Sequence, residues 1–212
     1  MSKIFSNGCS FLTPRPKDGV NTYVTKHLAN QYGMDIENIA MGGRGNTRIS
    51  FSTKTYFEHF GTEDTFAVIG WSSAYRNDYV TNDGWKKGRM PGTDLNISFI
   101  KNNVGWDIEN NAVMAFLDNV FDLQNYFERK RIPYVMYNAL PNTFDSNSKD
   151  FETIKKAIDM KRFFNPTVSH LEYITDKNLI VSPADPHPST EGHVQWAEQL
   201  KEFIDVNNLR TI

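Results

Sequence analysis

Apolar positions along this chain switch repeatedly between two rhythms. Lys3-Ile4-Phe5-Ser6 is a short strand that stops at Asn7-Gly8, and Tyr23, His27, Leu28 and Tyr32 then recur at helical spacing as far as Gly33. Asn38-Ile39-Ala40-Met41 reads as a second strand, broken by Gly42-Gly43-Arg44-Gly45, after which Asn46 or Thr47 caps a helix running through Ile49, Tyr56 and Phe60. Thr65-Phe66-Ala67-Val68-Ile69-Gly70 is a continuous apolar run of the kind buried in a parallel sheet with both faces covered. From Ser72 to about Asn110 the rhythm dissolves into Asn, Asp, Gly and Lys punctuated by Trp85, Met90, Phe99 and Trp106, a long irregular insertion of the sort used as lids or binding loops.

Order returns over Ala112 to Arg131, where Phe116, Val120, Leu123 and Phe127 form a helical stripe, followed by the strand Tyr134-Val135-Met136-Tyr137. A polar loop from Asn142 to Ser148 leads to a helix over Phe151 to Phe163. Leu179-Ile180-Val181 is the last strand candidate, and Val194, Trp196, Ala197, Leu200 and Phe203 make the apolar face of a closing helix over Glu191 to Ile204. Five strands alternating with helices predict a three-layer α/β/α sandwich with a five-stranded parallel sheet. Without an internal repeat or linker, the 212 residues read as one domain, 1–212.

Composition narrows the partners. A net charge of −2, from 23 basic and 25 acidic residues without a long run of like charge, gives no pull toward nucleic acid or an anionic membrane. Cys9 is the only cysteine, so no intramolecular disulfide forms. The start, Met1-Ser2-Lys3-Ile4-Phe5, lacks the apolar stretch of a signal peptide, and no window approaches the roughly 18 apolar residues of a membrane span. A soluble, cytoplasmic chain acting on a small molecule or glycan is the expectation. Aromatics make up 13% of the chain, including Trp71, Trp85, Trp106 and Trp196. Core packing accounts for most of them, and a binding surface for a flat or sugar-like ligand accounts for some equally well.

In open α/β sheets, ligands bind beyond the carboxyl ends of the strands, where strand order reverses. The residues just after the predicted strands are therefore the candidates: Asn7 to Ser10, Gly42 to Asn46, Gly70 to Ser73, Asn138, and Asp185 to His187. A serine hydroxyl becomes a useful nucleophile when an imidazole accepts its proton, and the imidazole needs a carboxylate to fix its tautomer. Ser10, His187 and Asp185 supply these three groups. Backbone N–H groups at Ser10 and Gly43 are suited to a developing oxyanion, where one donor is worth about 3 kcal/mol in known hydrolases.

These residues resemble the SGNH (GDSL-like) hydrolases, whose short blocks carry a Ser, a Gly, an Asn and a His on a flavodoxin-like sandwich. Gly8-Cys9-Ser10-Phe11 looks like the first block, with Cys9 where the family has aspartate. Ala40-Met41-Gly42-Gly43-Arg44-Gly45-Asn46 is similar to the second, which puts the oxyanion glycine at Gly43. Ile69-Gly70-Trp71-Ser72 stands in place of the third block, Gly-x-Asn, with Ser72 for the asparagine. The last block, Asp-x-x-His-Pro in the family, is here Asp185-Pro186-His187-Pro188, one residue shorter. His187 keeps the following proline and the glycine five residues on, and so takes the catalytic role ahead of His193. The resemblance implies an esterase, lipase or carbohydrate O-deacetylase without metal or organic cofactor. It leaves Ser72 or Asn46 to assist the oxyanion, and Trp71, Arg76 and Trp85 to contact substrate. Gly-Cys-Ser-Phe near the start and His-Pro-Ser before Gly-His also resemble hydrolase-like proteins of phages, which brings in association with a virion.

Each assignment has a plainer rival. His193, three residues before Trp196 on a helix, reads as a packed or capping histidine, and Cys9 as a small buried thiol rather than a reactive one. Gly42 to Gly45 ahead of a helix offers a phosphate cradle, but it matches neither the P-loop nor the dinucleotide fingerprint. Arg44 and Arg76 suit an anionic substrate group or an ordinary ion pair equally. Asp83, Asp94 and Asp107 lack metal-ligand spacing. Against the enzyme stands a binding or structural module that keeps the fold after the chemistry has lapsed, and beside it a flavodoxin-like nucleotide binder. A Ser10 to His187 hydrogen bond favours the enzyme.

Overall fold

Strand residues that alternate between two apolar faces build the sandwich. The computed structural model describes residues 1–76, 78–87, 108–144 and 149–211. In chain order, these run β1 (Lys3–Gly8), α1 (Val24–Tyr32), β2 (Asp35–Asn38), α2 (Asn46–Phe60), β3 (Thr65–Trp71), β4 (Asp78–Thr81) and β5 (Gly84–Lys87). They continue with α3 (Ile108–Lys130), β6 (Tyr134–Asn138), α4 (Lys149–Ala157), β7 (Phe163–Phe164), α5 (His170–Asp176), β8 (Ile180–Ser182), β9 (Asp185–Pro188) and α6 (Thr190–Val206). Five strands form one parallel sheet in the order β2-β1-β3-β6-β7.

Ile4, Phe66, Val68, Val135 and Tyr137 face one side of this sheet, where they meet Val24 and Leu28 of α1, Ile174 of α5, and Trp196, Leu200 and Ile204 of α6. Their neighbours Phe5, Ala67, Ile69, Tyr134 and Met136 face the other side, against Ile49 and Phe57 of α2, Phe116 to Phe127 of α3, and Ile158 just past α4. Period-2 alternation in strands that are apolar on both faces thus gives three layers. Strand order reverses between β1 and β3, which directs attention to the loops after those two strands.

Three elements differ from the sequence reading. The second strand is Asp35–Asn38 rather than 38–41. It lies at the sheet edge, where Asp35 and Glu37 are tolerated, while 39–41 only continues alongside β1 through Ile39 N–H to Ser6 O and Met41 N–H to Gly8 O. The helix expected as far as Phe163 ends at Ala157, because Phe163 and Phe164 are buried on opposite faces, as strand residues must be. They supply the fifth strand. The expected last strand, near Leu179 to Val181, instead forms an antiparallel ribbon, β8 with β9, outside the main sheet.

One helix, α5, had no counterpart in the apolar pattern. Its signature was nonetheless present: Ser169 accepts from Glu172 N–H while Glu172 accepts from Ser169 N–H, a capping box. Of the irregular insertion, the described part contains the antiparallel pair β4 and β5. Met90, Asp94, Phe99, Trp106 and Asp107 lie outside the described residues. Among the described residues, no helix is long and apolar enough to cross a membrane.

Candidate active site

Ser10 opens a short 3-10 turn, Ser10–Leu12, directly after β1. The turn can sit this close because Gly8 of β1 pairs in register with Gly70 of β3, and the Leu12 side chain lies over both. A Cβ on Gly70 would stand 2.4 Å from Leu12 Cδ1, and one on Gly8 would stand 2.6 Å from the Gly70 carbonyl oxygen. Larger residues at either position would push the Ser10 turn off the sheet. At the first position of such a turn, the backbone N–H has no acceptor within the turn.

From the other end of the chain, β9 delivers Asp185 and His187. Two residues apart on an extended strand, they project to the same side. Ser189 then caps α6 by accepting from Gly192 N–H, and its hydroxyl donates to Leu179 O at 2.7 Å, which fixes the ribbon to the helix. Gly192 is required here by close approach, since a Cβ would meet the Leu179 oxygen at 2.6 Å.

The two ends meet. Ser10 Oγ lies 2.9 Å from His187 Nε2, and His187 Nδ1 lies 2.5 Å from Asp185 Oδ1. Side-chain exposures of 28% for His187 and 27% for Asp185 leave the pair open to solvent on one side. Burial works to raise the Asp185 carboxyl, but hydrogen bonds from His187 and Arg15 outweigh it and bring the group down to about 2. Asp185 is therefore an anion at neutral pH, as an orienter of a histidine must be.

The glycine turn stands beside Ser10. A Cβ on Gly42 would lie 3.7 Å from Ser10 Cβ, and Gly43 takes the left-handed conformation at φ 77°. This turn leads into α2, whose N-cap is Gly45 rather than Asn46 or Thr47.

Asn46 and Ser72 were expected as further oxyanion donors, and both are buried. Asn46 accepts from Ser72 N–H at 2.8 Å and donates to Ser72 O at 2.9 Å, so its amide is engaged by the end of β3. Asn142, not singled out in the sequence, donates to Ser72 O at 2.8 Å and accepts from Ala74 N–H at 2.6 Å. Arg76 Nη1 donates to Ser72 Oγ at 3.3 Å, and its carbonyl packs so tightly on Gly45 that a Cβ there would stand 2.2 Å from it. Together these contacts lock the turns after β2, β3 and β6 to one another.

The aromatic candidates Trp71 and Trp85 have different surroundings. Trp71 has no exposed surface and packs edge-on to Phe116 in the core, so the expectation that it lines a binding surface is corrected. Trp85 lies against Phe51 of α2 at 5.5 Å, with the Arg48 guanidinium 5.9 Å above its ring. Cys9 is fully buried, and burial raises its thiol pKa despite hydrogen bonding to Phe11 N–H and the nearby Arg76 charge. Arg44 is also buried, donating to Asn7 Oδ1 at 3.0 Å, and so cannot reach a ligand in solvent. His193 has no exposed surface and packs edge-on to His170 at 5.6 Å. Among the described residues, no three His, Cys, Asp or Glu side chains are grouped to hold a metal ion.

One residue of the site escaped the sequence reading entirely. Arg15 donates from Nη1 to Asp185 Oδ1 at 3.0 Å and from Nη2 to Asp185 Oδ2 at 2.5 Å. Its only sequence signal was a cation in the loop that follows the candidate nucleophile.

No model of a protein family matches this sequence, and no curated protein matches it. Solved structures do. The chain is similar to the psychrotrophic esterase EstA from Pseudoalteromonas sp., in a structure inhibited by monoethylphosphonate, with a TM-score of 0.55 and 13% identity over 97% of this chain and 98% of that one. It is also similar to TesA, with a TM-score of 0.51 and 10% identity over 97% and 99% of the two chains. A third likeness is to a catalytic mutant of Axe2, an acetylxylan esterase from Geobacillus stearothermophilus, with a TM-score of 0.50 and 14% identity over 96% and 94%. At such identities the likeness is one of fold. It extends from end to end, and the three-layer sandwich expected of an SGNH hydrolase is the fold observed.

Proposed function

We propose that this protein is a serine esterase of the SGNH type that cleaves a small carboxylic ester through a Ser10 acyl-enzyme. The observation that carries this reading is the hydrogen-bonded series from Ser10 Oγ through His187 to the Asp185 carboxylate, with contacts of 2.9 and 2.5 Å. In the first step, Ser10 Oγ attacks the ester carbonyl carbon while His187 Nε2 takes the hydroxyl proton. The resulting oxyanion is held by the N–H groups of Ser10 and Gly43. Collapse expels the alcohol, which receives the proton from His187, and water attacks the acyl-enzyme by the same route in reverse. Asn46, Asn142, Ser72 and Arg76 act one step back, by fixing the end of the turn that carries Gly43. No metal or organic cofactor takes part in this scheme.

An O-acetyl group on a carbohydrate is the substrate we favour. The chain shares its fold with an acetylxylan esterase, and His187 and Asp185 are partly exposed to solvent, where a carbohydrate alcohol would lie. The test compares hydrolysis of p-nitrophenyl acetate, p-nitrophenyl butyrate and acetylated xylo-oligosaccharides by the wild type, Ser10→Ala and His187→Ala. Turnover lost in both variants supports the serine esterase, and a preference for the acetylated sugar supports the deacetylase. Turnover equal in wild type and Ser10→Ala would overturn the reading and favour a binding module.

A further inference from the structure

The loop after the nucleophile folds into a clasp around one side chain. Arg15 N–H donates to Val20 O at 2.6 Å, and Val20 N–H returns a bond to Arg15 O at 3.1 Å, closing the segment over the 3-10 turn Pro16–Asp18. Inside that closed turn, Arg15 Nε donates to Asp18 Oδ2 at 2.8 Å. The remaining two guanidinium nitrogens are left aimed outward, and both bind Asp185. Every nitrogen of the Arg15 guanidinium is thereby used, one by its own turn and two by the orienting carboxylate.

Asp185 needs such a partner. Its Oδ1 accepts from both the backbone N–H and Nδ1 of His187, at 3.3 and 2.5 Å. On a ribbon strand, with a spacing of only one intervening residue, the carboxylate is free to rotate unless a second group fixes its plane. A planar guanidinium binding both oxygens does this, and an ammonium cannot.

We propose that Arg15 is a positioning residue that fixes the Asp185 carboxylate against His187. This deepens the esterase reading, and it depends on that reading only for the kinetic part of its test. The groups facing His187 are Asp185 on its own strand, Arg15 and through it Asp18 from the turn, Ser10 from the nucleophile loop, and, beyond Phe11, the buried His170 of α5 and His193 of α6.

The experiment measures the solvent exchange of the His187 Nδ1 proton by NMR in the full-length wild type, Arg15→Gln and Arg15→Lys, beside kcat and KM for p-nitrophenyl acetate. Both variants lose the fork, so the Nδ1 proton should exchange faster than in the wild type in each. With the carboxylate plane released, kcat should fall by about tenfold to a hundredfold in both variants, with little change in KM. Wild-type exchange in Arg15→Gln overturns the proposal, and so does a wild-type kcat in Arg15→Lys.

If the wild type does not hydrolyse the ester, the esterase reading fails while the Nδ1 exchange still decides the role of Arg15. If Arg15→Gln does not fold, Arg15→Lys decides through its kcat, or in a non-hydrolysing protein through solvent exchange of the His187 Nδ1 proton. Faster exchange than in the wild type supports the clamp, and unchanged exchange overturns it.

Discussion

Phe11 divides two histidine environments. On one side its ring lies 5.3 Å from His187, and on the other it stands edge-on to His170 at 5.6 Å, with His193 next in line. His187 is partly exposed and has a carboxylate on one nitrogen and a hydroxyl on the other. His170 and His193 have no exposed surface, His170 stacks on Trp196 at 4.9 Å, and among the described residues neither ring nitrogen of His193 has a hydrogen-bond partner. Burial, reinforced by the nearby His27 and His187, presses His193 down to about 3, and burial beside His193 lowers His170 well below its usual value. The same side chain thus links a hydroxyl to a carboxylate where it meets solvent, and is an apolar packing piece where it is fully buried.

Substitutions can break that contrast from either side. The largest expected effect is catalytic: Ser10→Ala or His187→Ala should lower kcat by a thousandfold or more, about 4 kcal/mol or above in the barrier, with unfolding midpoints near that of the wild type. Steady-state hydrolysis alongside urea denaturation measures both halves. His170→Ala should do the reverse. Removing a fully buried ring stacked on Trp196 is expected to cost about 3 kcal/mol of stability, as other large-to-small core truncations do, while kcat per folded molecule is retained.

Acid sharpens the contrast next. A buried histidine that is neutral when folded, at about 3, takes up a proton on unfolding at its ordinary value near 6.5. The unfolded chain then binds more protons than the native one, so stability falls as pH drops below about 6.5, by up to about 1.4 kcal/mol per pH unit for each such histidine. His193→Gln should flatten that slope by one proton in urea titrations between pH 6.5 and 4. Asp185 acts in a lower window: its carboxyl, at about 2 when folded against about 3.9 unfolded, lends stability that is present above pH 4 and is lost as pH falls toward 2. The smallest effect is expected from Asp18→Asn. Loss of a partly exposed ion pair to Arg15 should cost under about 1 kcal/mol and lower kcat only a few-fold, as read by thermal melting and the ester assay.

Where local pattern and tertiary role coincide, the chain could be read directly. The buried strands β1, β3 and β6 announce themselves because apolar residues fill both faces, and Ser10, Gly43 and His187 stand out because each ends or follows a recognisable element. Reading fails where burial is partial. Asp35 and Glu37 look unlike a strand because β2 lies at the edge, and Phe163-Phe164 is too short to show any period. Trp71 illustrates the converse: nothing in an isolated tryptophan distinguishes a core ring from a ligand platform, and only the packing of α3 across β3 decides it. Arg15 could not be found at all, since the feature that defines it is a contact 170 residues away in the chain.

Distance along the chain also sets a timetable. Ser10 and His187 are separated by 177 residues, and at the usual pace of synthesis, about 5 to 20 residues per second, the hydroxyl waits roughly 9 to 35 s for its base to be translated. Until then the nascent polypeptide carries Ser10 and its glycine turn without the imidazole. If Ser10 is the nucleophile proposed above, hydrolytic capacity comes late, only after every strand of the main sheet has already left the peptidyl-transferase centre, and an abandoned translation product is silent toward esters in the cell that makes it.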